Sequence, residues 1–436
     1  MHIAADLHIH SRYSRATSKG LDVAELACWA RRKGVSILGT GDFTHPAWRE
    51  EIRSKLIEDG SGLLRLRPGS ALPTHQTDTS QIGMFGHAEA QERSDADFIV
   101  SDVRFLLSSE LSTIYSHNGK TRKIHHVFLA PDLATADAIS EALIKKKANI
   151  FSDGRPILGL TSEELCDLVF SINPDCQLIP AHIWTPWFSV FGSKSGYDSL
   201  EECYGSFTKK ILALETGLSS DPPMNWRWSY LDGYTLVSNS DAHSANKIAR
   251  ECNVFEVAAG ADLSYRMLAD MIQTGDPDVF RYSVEFYPEE GKYHWDGHRA
   301  CQVRWKPEET AAHAGICPVC GQEVTIGVSN RVNELADRPE GYTPTKRVPV
   351  KHVVPLEEIL ASVLESGRTS KKVQGVYDAL VDEIGSELAV LISTDVQEIS
   401  AFSGERIGRA VELMRQGKVN VNPGYDGEFG RVEVAI

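Results

Sequence analysis

Long apolar runs are missing from this chain. No stretch of about eighteen consecutive apolar residues occurs in its 436, so no transmembrane helix is expected. The opening MHIAADLHIH has no charged segment leading into an apolar one, so no signal peptide is expected and the expected compartment is the cytoplasm. There is no internal repeat and no low-complexity tail. Basic side chains are in deficit: 45 Lys and Arg face 60 Asp and Glu, a formal charge of −15. Such a balance ordinarily argues against a nucleic-acid partner. That argument weakens if the acids gather around metal ions, because bound cations reverse the local field. No Ser-His-Asp arrangement or reactive cysteine needs to be invoked, and no nucleotide cofactor is expected. Cysteines number eight. Cys28, Cys166, Cys176, Cys203 and Cys252 sit singly among apolar neighbours and read as buried free thiols. Cys301, Cys317 and Cys320 cluster, which in a cytosolic protein signals metal more often than disulfide.

What is present is a series of histidines and acids at strand-like positions. They are His8 and His10 in ADLHIH, Asp42 in GTGDFTH, Glu110 in LLSSELS, His126 in KIHHVFLA, His182 in LIPAHIW, Glu215 in LALETG, and Asp241 and His243 in VSNSDAHS. Most end or follow short apolar runs that read as buried strands. Strands that end in ligands and gather into a barrel place those ligands at one mouth. Imidazole with carboxylate suits Zn, Mn, Fe or Mg. HxH on a strand points both rings to one face, and DxH at 241–243 repeats the geometry. Buried carboxylates at Glu110 and Glu215 would be costly unless cations satisfy them.

A hydrophobic content of 42% and a charged content of 24% describe a globular chain, long enough for two or three domains. Residues 1–65 read as βαβα, with LDVAELACWARRKG as an amphipathic helix stopped by glycine. This alternation predicts parallel strands with crossover helices. Residues 66–101 are polar and aperiodic and read as a long insertion. His75 and His87 lie in it and are left out of the metal set. From 102, VRFLLSSEL, HHVFLA, CQLIPAHIW, KILALETG and YTLVSNSDAH read as strands. DLATADAISEALIKKK and TSEELCDLVFSI read as helices, the second with a Thr cap. IWTPWFSVFGSKSGYDSLEECYGSF reads as a loop at the mouth. NRVNELADRPE, PLEEILASVL, KKVQGVYDALVDEIG and GERIGRAVELMRQGK read as later helices, and VNVNPGYDGEFGRVEVAI as a closing hairpin.

DLHIHSRYS, the strand-end acid of GTGD, the Glu–His pair of SSEL and HHVFLA, and SDAH together resemble the PHP (polymerase and histidinol phosphatase) family over residues 1 to about 285. The resemblance implies an α/β fold, a distorted (β/α)7 barrel with two or three divalent metals (Zn, Mn, Mg or Fe). It implies that His8, His10, Glu110 and Asp241 share a first pair of ions. Asp42 and His243 would complete another, with His126, His182 and Glu215 around a third. Two departures stand out: Phe43 follows the acid where the family usually has histidine, leaving His45 or direct binding by Asp42, and Ser14 replaces a third early histidine. His125 competes with His126, and His126 is favoured because it directly precedes VFLA. Divalent ions there would activate water and neutralise charge on a phosphoryl oxygen, with Asp241, His243 and Glu110 as catalytic candidates.

His298-x2-Cys301 and Cys317-x2-Cys320, fifteen residues apart, have zinc-knuckle spacing and imply one structural zinc. His294 and His313 are alternative fourth ligands. With DGHRAC…CPVCG, NRVNELADRPEG and PGYDGEFGRVEV added, nearly the whole chain resembles the endonuclease Q family. That family nicks DNA on the 5′ side of uracil, hypoxanthine, xanthine and abasic sites. The resemblance implies damaged DNA as partner; a sliding clamp stays an open partner, and no membrane partner is expected. The expected division is a catalytic barrel at 1–285, a zinc-binding module at 286–330 and a C-terminal helical DNA-binding domain at 331–436. Residues 331–372 are mildly basic, with eight Lys and Arg against six Asp and Glu. Reading a damaged base requires taking it out of the stack. Trp184, Trp187 and Phe188 are candidates for a base pocket or wedge, set against a packed rim. Ser193, Lys194 and Ser195, and Lys120, Arg122 and Lys123, are candidates for phosphate, set against solvated loops. The alternatives are a small-molecule phosphoesterase like histidinol-phosphatase, or a non-catalytic DNA-binding repair scaffold.

Overall fold

The computed structural model describes residues 1–70, 72–73 and 97–436. Most of the expected insertion, with His75 and His87, lies outside the described residues. Seven strands make a ring: β1 (His2–Asp6), β2 (Ile37–Gly39), β3 (Arg104–His117), β4 (Lys120–Ala130), β5 (Gln177–Pro180), β6 (Leu214–Glu215) and β7 (Leu236–Val237). β1, β2 and β3 pair in parallel, as do β6 and β7. Two parallel bridges complete the circuit, Leu178 with Ile211 and Ile9 with Ala242. Apolar side chains at or beside every ring strand, among them Ala5, Ile37, Leu106, Val127, Ile179, Ala213 and Val237, form one buried cluster.

The all-parallel expectation fails at one strand. β4 runs antiparallel to both β3 and β5, because Asn118 and Gly119, at φ 52° and 72°, turn the chain straight back. An Asn-Gly pair in left-handed conformation is the favoured two-residue hairpin turn. The seam between β7 and β1 is also irregular. Asn239 Oδ1 accepts Leu7 N–H at 2.9 Å, and Asn253 Nδ2 donates to Ser238 O at 2.8 Å and Ala5 O at 3.3 Å. Side-chain amides there do what a ladder does elsewhere, so buried backbone groups stay paired where strands diverge.

The sheet continues past the ring. β8 (Cys252–Glu256) is antiparallel to β1, β9 (Phe280–Glu285) is antiparallel to β8, and β10 (Val350–His352) is parallel to β9. Crossover helices follow their sequence signals. Val23–Lys33 starts under the Asp22 cap and stops at Gly34, φ 89°. Ser162–Ile172 carries the Thr161–Glu164 capping box, which satisfies two end donors reciprocally.

C-terminal helices lie at Leu356–Val363, Lys371–Ile384, Val396–Ser403 and Glu405–Arg415. The third was not picked out from the sequence. They dock on helix Val23–Lys33 through a buried polar knot: Lys33 Nζ and Tyr377 Oη both donate to Glu387, which also accepts Leu356 N–H. The closing hairpin pairs Val419–Asn422 with Arg431–Val434. Among the described residues, no helix is long and apolar enough to cross a membrane.

Candidate metal centre

β1 delivers the chain to the barrel mouth, where Asp6 accepts Ser240 and Ala249 N–H, each at 3.0 Å. Two residues on, His8 and His10 are both buried. Each ring is oriented by a carboxylate on its Nδ1 side. Glu215 holds His8 Nδ1 at 2.9 and 3.1 Å, and Asp42 holds His10 Nδ1 at 3.1 Å. Asp42 is itself fixed by Ser11 N–H and Oγ–H at 2.7 Å and Ser14 Oγ–H at 2.9 Å. Both Nε2 atoms therefore face inward. A carboxylate behind an imidazole fixes its tautomer and raises its basicity as a ligand.

Glu110 lies between two groups of donors. Its Oε2 is 3.2 Å from His10 Nε2 and 3.6 Å from His8 Nε2. Asp241 Oδ1 stands 3.0 Å from the same His10 nitrogen. Glu110 Oε1 is 2.5 Å from His125 Nδ1 and 3.2 Å from His182 Nε2, and those two nitrogens are 3.2 Å apart. The result is two clusters with a shared carboxylate: His8, His10, Glu110 and Asp241, and Glu110, His125 and His182. Within each, one donor atom per residue lies within 4.8 Å of all the others.

The donor chemistry fits divalent cations. His8 Nε2, His10 Nε2 and Asp241 Oδ1 are buried, close together and without a well-formed hydrogen bond. Three orphaned lone-pair atoms aimed at one point are costly unless a cation takes them up. Burial opposes charge on Glu110, yet His125, Arg155 and His8 hold its pKa well below the carboxylate range. Burial opposes it on Asp241 too, and His10 and His8 hold that group well below the range. Burial lowers His125 to about 4, so its ring is neutral and able to bind a metal at pH 7. Backbone strain collects at the same residues. Asp42, His182 and Asp241 have φ of 49°, 28° and 45°, a region that costs a non-glycine residue energy and is found where a site dictates geometry. Gly217, φ 68°, passes so close to His182 that a Cβ would collide with that side chain.

A third cluster, away from the mouth, joins His298, Cys301, Cys317 and Cys320. His298 ends the strand Asp296–His298, which pairs with Val303–Trp305. The tight turn CPVC brings Gly321 N–H to Cys317 O at 2.9 Å. His298 Nδ1 is 3.6 Å from Cys320 Sγ. Despite burial, backbone groups of Cys320 and Val319 and the neighbouring thiols pull Cys317 down to about 7. His313 instead stacks flat on Trp305 at 4.5 Å, and His294 lies outside the cluster.

Residues 355–418 match the family described as MJ0043 C-terminal domain. The uncharacterised protein MJ0043 of Methanocaldococcus jannaschii is 32% identical over 253 residues, 57% of this chain and 31% of that protein. The uncharacterised protein YqxK of Bacillus subtilis is 30% identical over 99% of both chains. The crystal structure of the lesion-specific endonuclease PfuEndoQ from Pyrococcus furiosus superposes with a TM-score of 0.80 at 30% identity, over all of this chain and 96% of that one. The chain belongs to the endonuclease Q family. Endonuclease Q in complex with a 27-mer duplex substrate, with an abasic lesion at the active site, gives a TM-score of 0.81 at 30% identity and covers 100% and 97%. The expected PHP barrel with metal clusters and a C-terminal helical region is therefore the fold of this chain.

Within that family framework several sequence assignments are corrected. His126 faces away from the mouth: its ring nitrogens lie 2.9 Å from Tyr204 Oη and 3.0 Å from Thr113 Oγ1, and His125 takes its place. Registry explains the error. Ser112 opposes His125, so His125 shares a face with Glu110, and counting back from Asn118-Gly119 would have given that pairing. Asp42 and Glu215 orient histidines rather than joining the clusters. His45, the suggested stand-in, caps helix Pro46–Lys55 through Nδ1 and meets Phe151 O at 3.1 Å. His243 packs beside His10, ring centroids 4.5 Å apart, with Nδ1 2.8 Å from Asp241 O. It stands outside both clusters. Arg155 was missed altogether; its Nη1 donates to Glu110 Oε2 at 2.9 Å, and nothing in SDGRPIL announces it.

The DNA-binding candidates divide. Trp184 is core, with Nε1 donating to Asn225 Oδ1 at 2.7 Å and its ring against Phe191 and Trp228. Arg122 is buried over Tyr197 and donates to Gly196 O. Ser195 Oγ accepts Phe188 N–H and donates to Lys123 O, and Ser193 Oγ donates to Ile326 O. These four hold the loop together. Trp187 is 37% exposed, Phe188 packs on His125 at 4.5 Å under the Lys123 ammonium, and Lys120 and Lys194 are exposed.

Proposed function

We propose that this chain is a DNA-repair endonuclease that hydrolyses one phosphodiester on the 5′ side of a deaminated base or abasic site, leaving 3′-hydroxyl and 5′-phosphate ends. The observation that carries the reading is Glu110, one oxygen in each of two donor clusters at the mouth of a barrel. Two divalent ions fit those clusters, with Zn, Mn, Mg and Fe as candidates. Bound there, they would lower the pKa of water and neutralise charge on the phosphoryl oxygens. The chain's own part is to hold the donors rigid. Glu215 and Asp42 fix the two imidazoles, and the strained Asp241 and His182 aim their side chains inward. His243, half exposed beside Asp241, is placed to order the attacking water. The Cys3His cluster suits one structural zinc.

Damaged duplex DNA is the proposed partner, and the reading needs no nucleotide cofactor. The working division is a catalytic barrel at 1–285, a zinc module at 286–330 and a DNA-holding region at 331–436. In the last, helix Glu405–Arg415 begins at Gly404, φ 94°, without a side-chain cap. Its N-terminus, flanked by exposed Arg406 and Arg409, suits a phosphate. Trp187, Lys123 and Lys194 are the remaining candidates near the mouth.

The test uses duplexes with a single uracil, hypoxanthine or abasic site, and an undamaged control, in Mg or Mn. Nicking only beside the lesion, abolished in Asp241→Ala with an unchanged melting curve, supports the proposal. Hydrolysis of histidinol phosphate without nicking would replace it with a small-molecule phosphoesterase. Lesion binding without turnover in any metal would leave a repair scaffold.

A further inference from the structure

Among the described residues, Arg155 is the one arginine or lysine bonded to a carboxylate of the metal clusters. Its Nη1 donates at 2.9 Å to Glu110 Oε2, the same oxygen that faces His8 and His10. A guanidinium on that oxygen points its charge at the place the donors offer to a cation. Like charges at such a distance inside a buried site repel strongly, so ion binding and the Arg155–Glu110 bond compete.

The backbone beneath Arg155 is pinned. Asp153 Oδ1 accepts Arg155 N–H at 3.1 Å and Arg15 N–H at 3.3 Å, and its other oxygen pairs with Arg15 Nε at 3.1 Å. Gly154 donates N–H to Tyr13 O at 2.9 Å and is wedged against Asp42 and Ser14, where a Cβ would collide with both. Ile157 and Leu158 then pair with β3. Only the side chain is free to respond. It is 25% exposed, whereas the carboxylate it holds is fully buried. A guanidinium fork matches the non-bridging oxygens of a phosphodiester better than any other side chain.

We infer that Arg155 is a catalytic residue: as ions load, it leaves Glu110 and grips the non-bridging oxygens of the scissile phosphate. No bond is made or broken by the exchange, and the guanidinium keeps its proton throughout. The assignment rests on the phosphodiesterase reading above, and its test separates the two.

Titrate wild type, Arg155→Ala and Arg155→Lys with Mn2+ by calorimetry, then titrate the Mn2+-loaded proteins with inorganic phosphate. The expected result for Arg155→Ala is Mn2+ affinity equal to or tighter than wild type, because a competing charge is gone. Its phosphate affinity falls roughly ten-fold or more, and single-turnover nicking of an abasic duplex falls about 100-fold. Guanidinium ion restores part of that rate. Arg155→Lys keeps the charge without the fork and falls between; it serves as the readout if the alanine variant does not fold. Weaker Mn2+ binding in Arg155→Ala would overturn the inference, since the arginine would then be organising Glu110 for the metal. Unchanged phosphate affinity would overturn it equally. If wild type binds phosphate through Arg155 and nicks no lesion, the nuclease reading fails and its catalytic role with it, while the phosphate contact of Arg155 stands.

Discussion

The candidate metal sites at the barrel mouth and in the small module differ in every respect that matters for their roles. At the mouth, carboxylates and imidazoles drawn from five separate strands or strand ends converge, three donor atoms lack a hydrogen-bond partner, and a partly exposed arginine meets the shared carboxylate. In the small module, three thiols and one imidazole come from a stretch of twenty-three residues, His298 to Cys320. They cover a local core of Val303, Trp305, Cys317 and Val324. Mixed imidazole and carboxylate donors suit exchangeable ions and hydrolysis, whereas a closed thiolate set suits zinc held for stability. The fold explains the split. A ring of strands can survive without its ions, since its core is apolar and continuous, but a module with so few buried side chains cannot.

Stripping metal should break the symmetry between them most visibly. Mild chelation with EDTA should abolish nicking, a loss of about 1000-fold or more, while the barrel stays folded with a lowered thermal transition, and Mn2+ restores both rate and transition. Cys317→Ser should do the opposite in kind: zinc content drops by one, and the module melts early and separately in calorimetry. An unaltered melting profile in Cys317→Ser would mean that the thiol cluster does not support the module.

The contrast also shows what was legible in the sequence. The thiol cluster was readable almost completely, because its ligands are local and their spacing carries the geometry. For the mouth, HxH, Glu110, His182 and Asp241 were readable from strand periodicity and the family resemblance. Periodicity did not say which side of β4 faces inward, so His125 and His126 were exchanged; the register of the Asn118-Gly119 turn held that information. Nor could it separate a ligand from the carboxylate behind a ligand. Asp42 and Glu215 end strands just as a ligand would, and only the direction of the His10 and His8 rings shows their task. Arg155 sits on a loop and has no periodic signal.

Those two carboxylates give the next test. Asp42→Asn and Glu215→Gln keep shape and remove the charge that steadies each imidazole. Each should weaken Mn2+ binding by about 10–100-fold, the usual cost of losing an outer-shell partner, with full nicking recovered at saturating Mn2+. A rate still lost at saturation would make either residue a direct ligand or a catalytic group. Neither residue belongs to the thiol cluster, so zinc content there should be the same in both variants.

The smallest effect belongs to Glu290, which shows what an orphaned carboxyl does outside a donor cluster. It is buried, and its Oε1 has no partner. Burial and Glu358 push it up to about 8 against the opposing pull of Lys247, Arg368 and Arg250. Among the described residues it belongs to no donor cluster like those at the mouth, so it keeps a proton rather than taking a cation. The sign follows from linkage. An unfolded glutamate ionises near 4.5 while the folded one waits until about 8, so stability is fully present below pH 4.5 and falls as pH rises through that window. Glu290→Gln removes the slope. Its melting temperature should match wild type near pH 5 and exceed it near pH 9 by a few degrees, about 1 kcal/mol after local hydration. The same offset at both pH values would show that Glu290 is already ionised in the fold. A Mn2+-dependent shift of the profile that wild type shows and Glu290→Gln lacks would show instead that this carboxyl, too, takes up a cation.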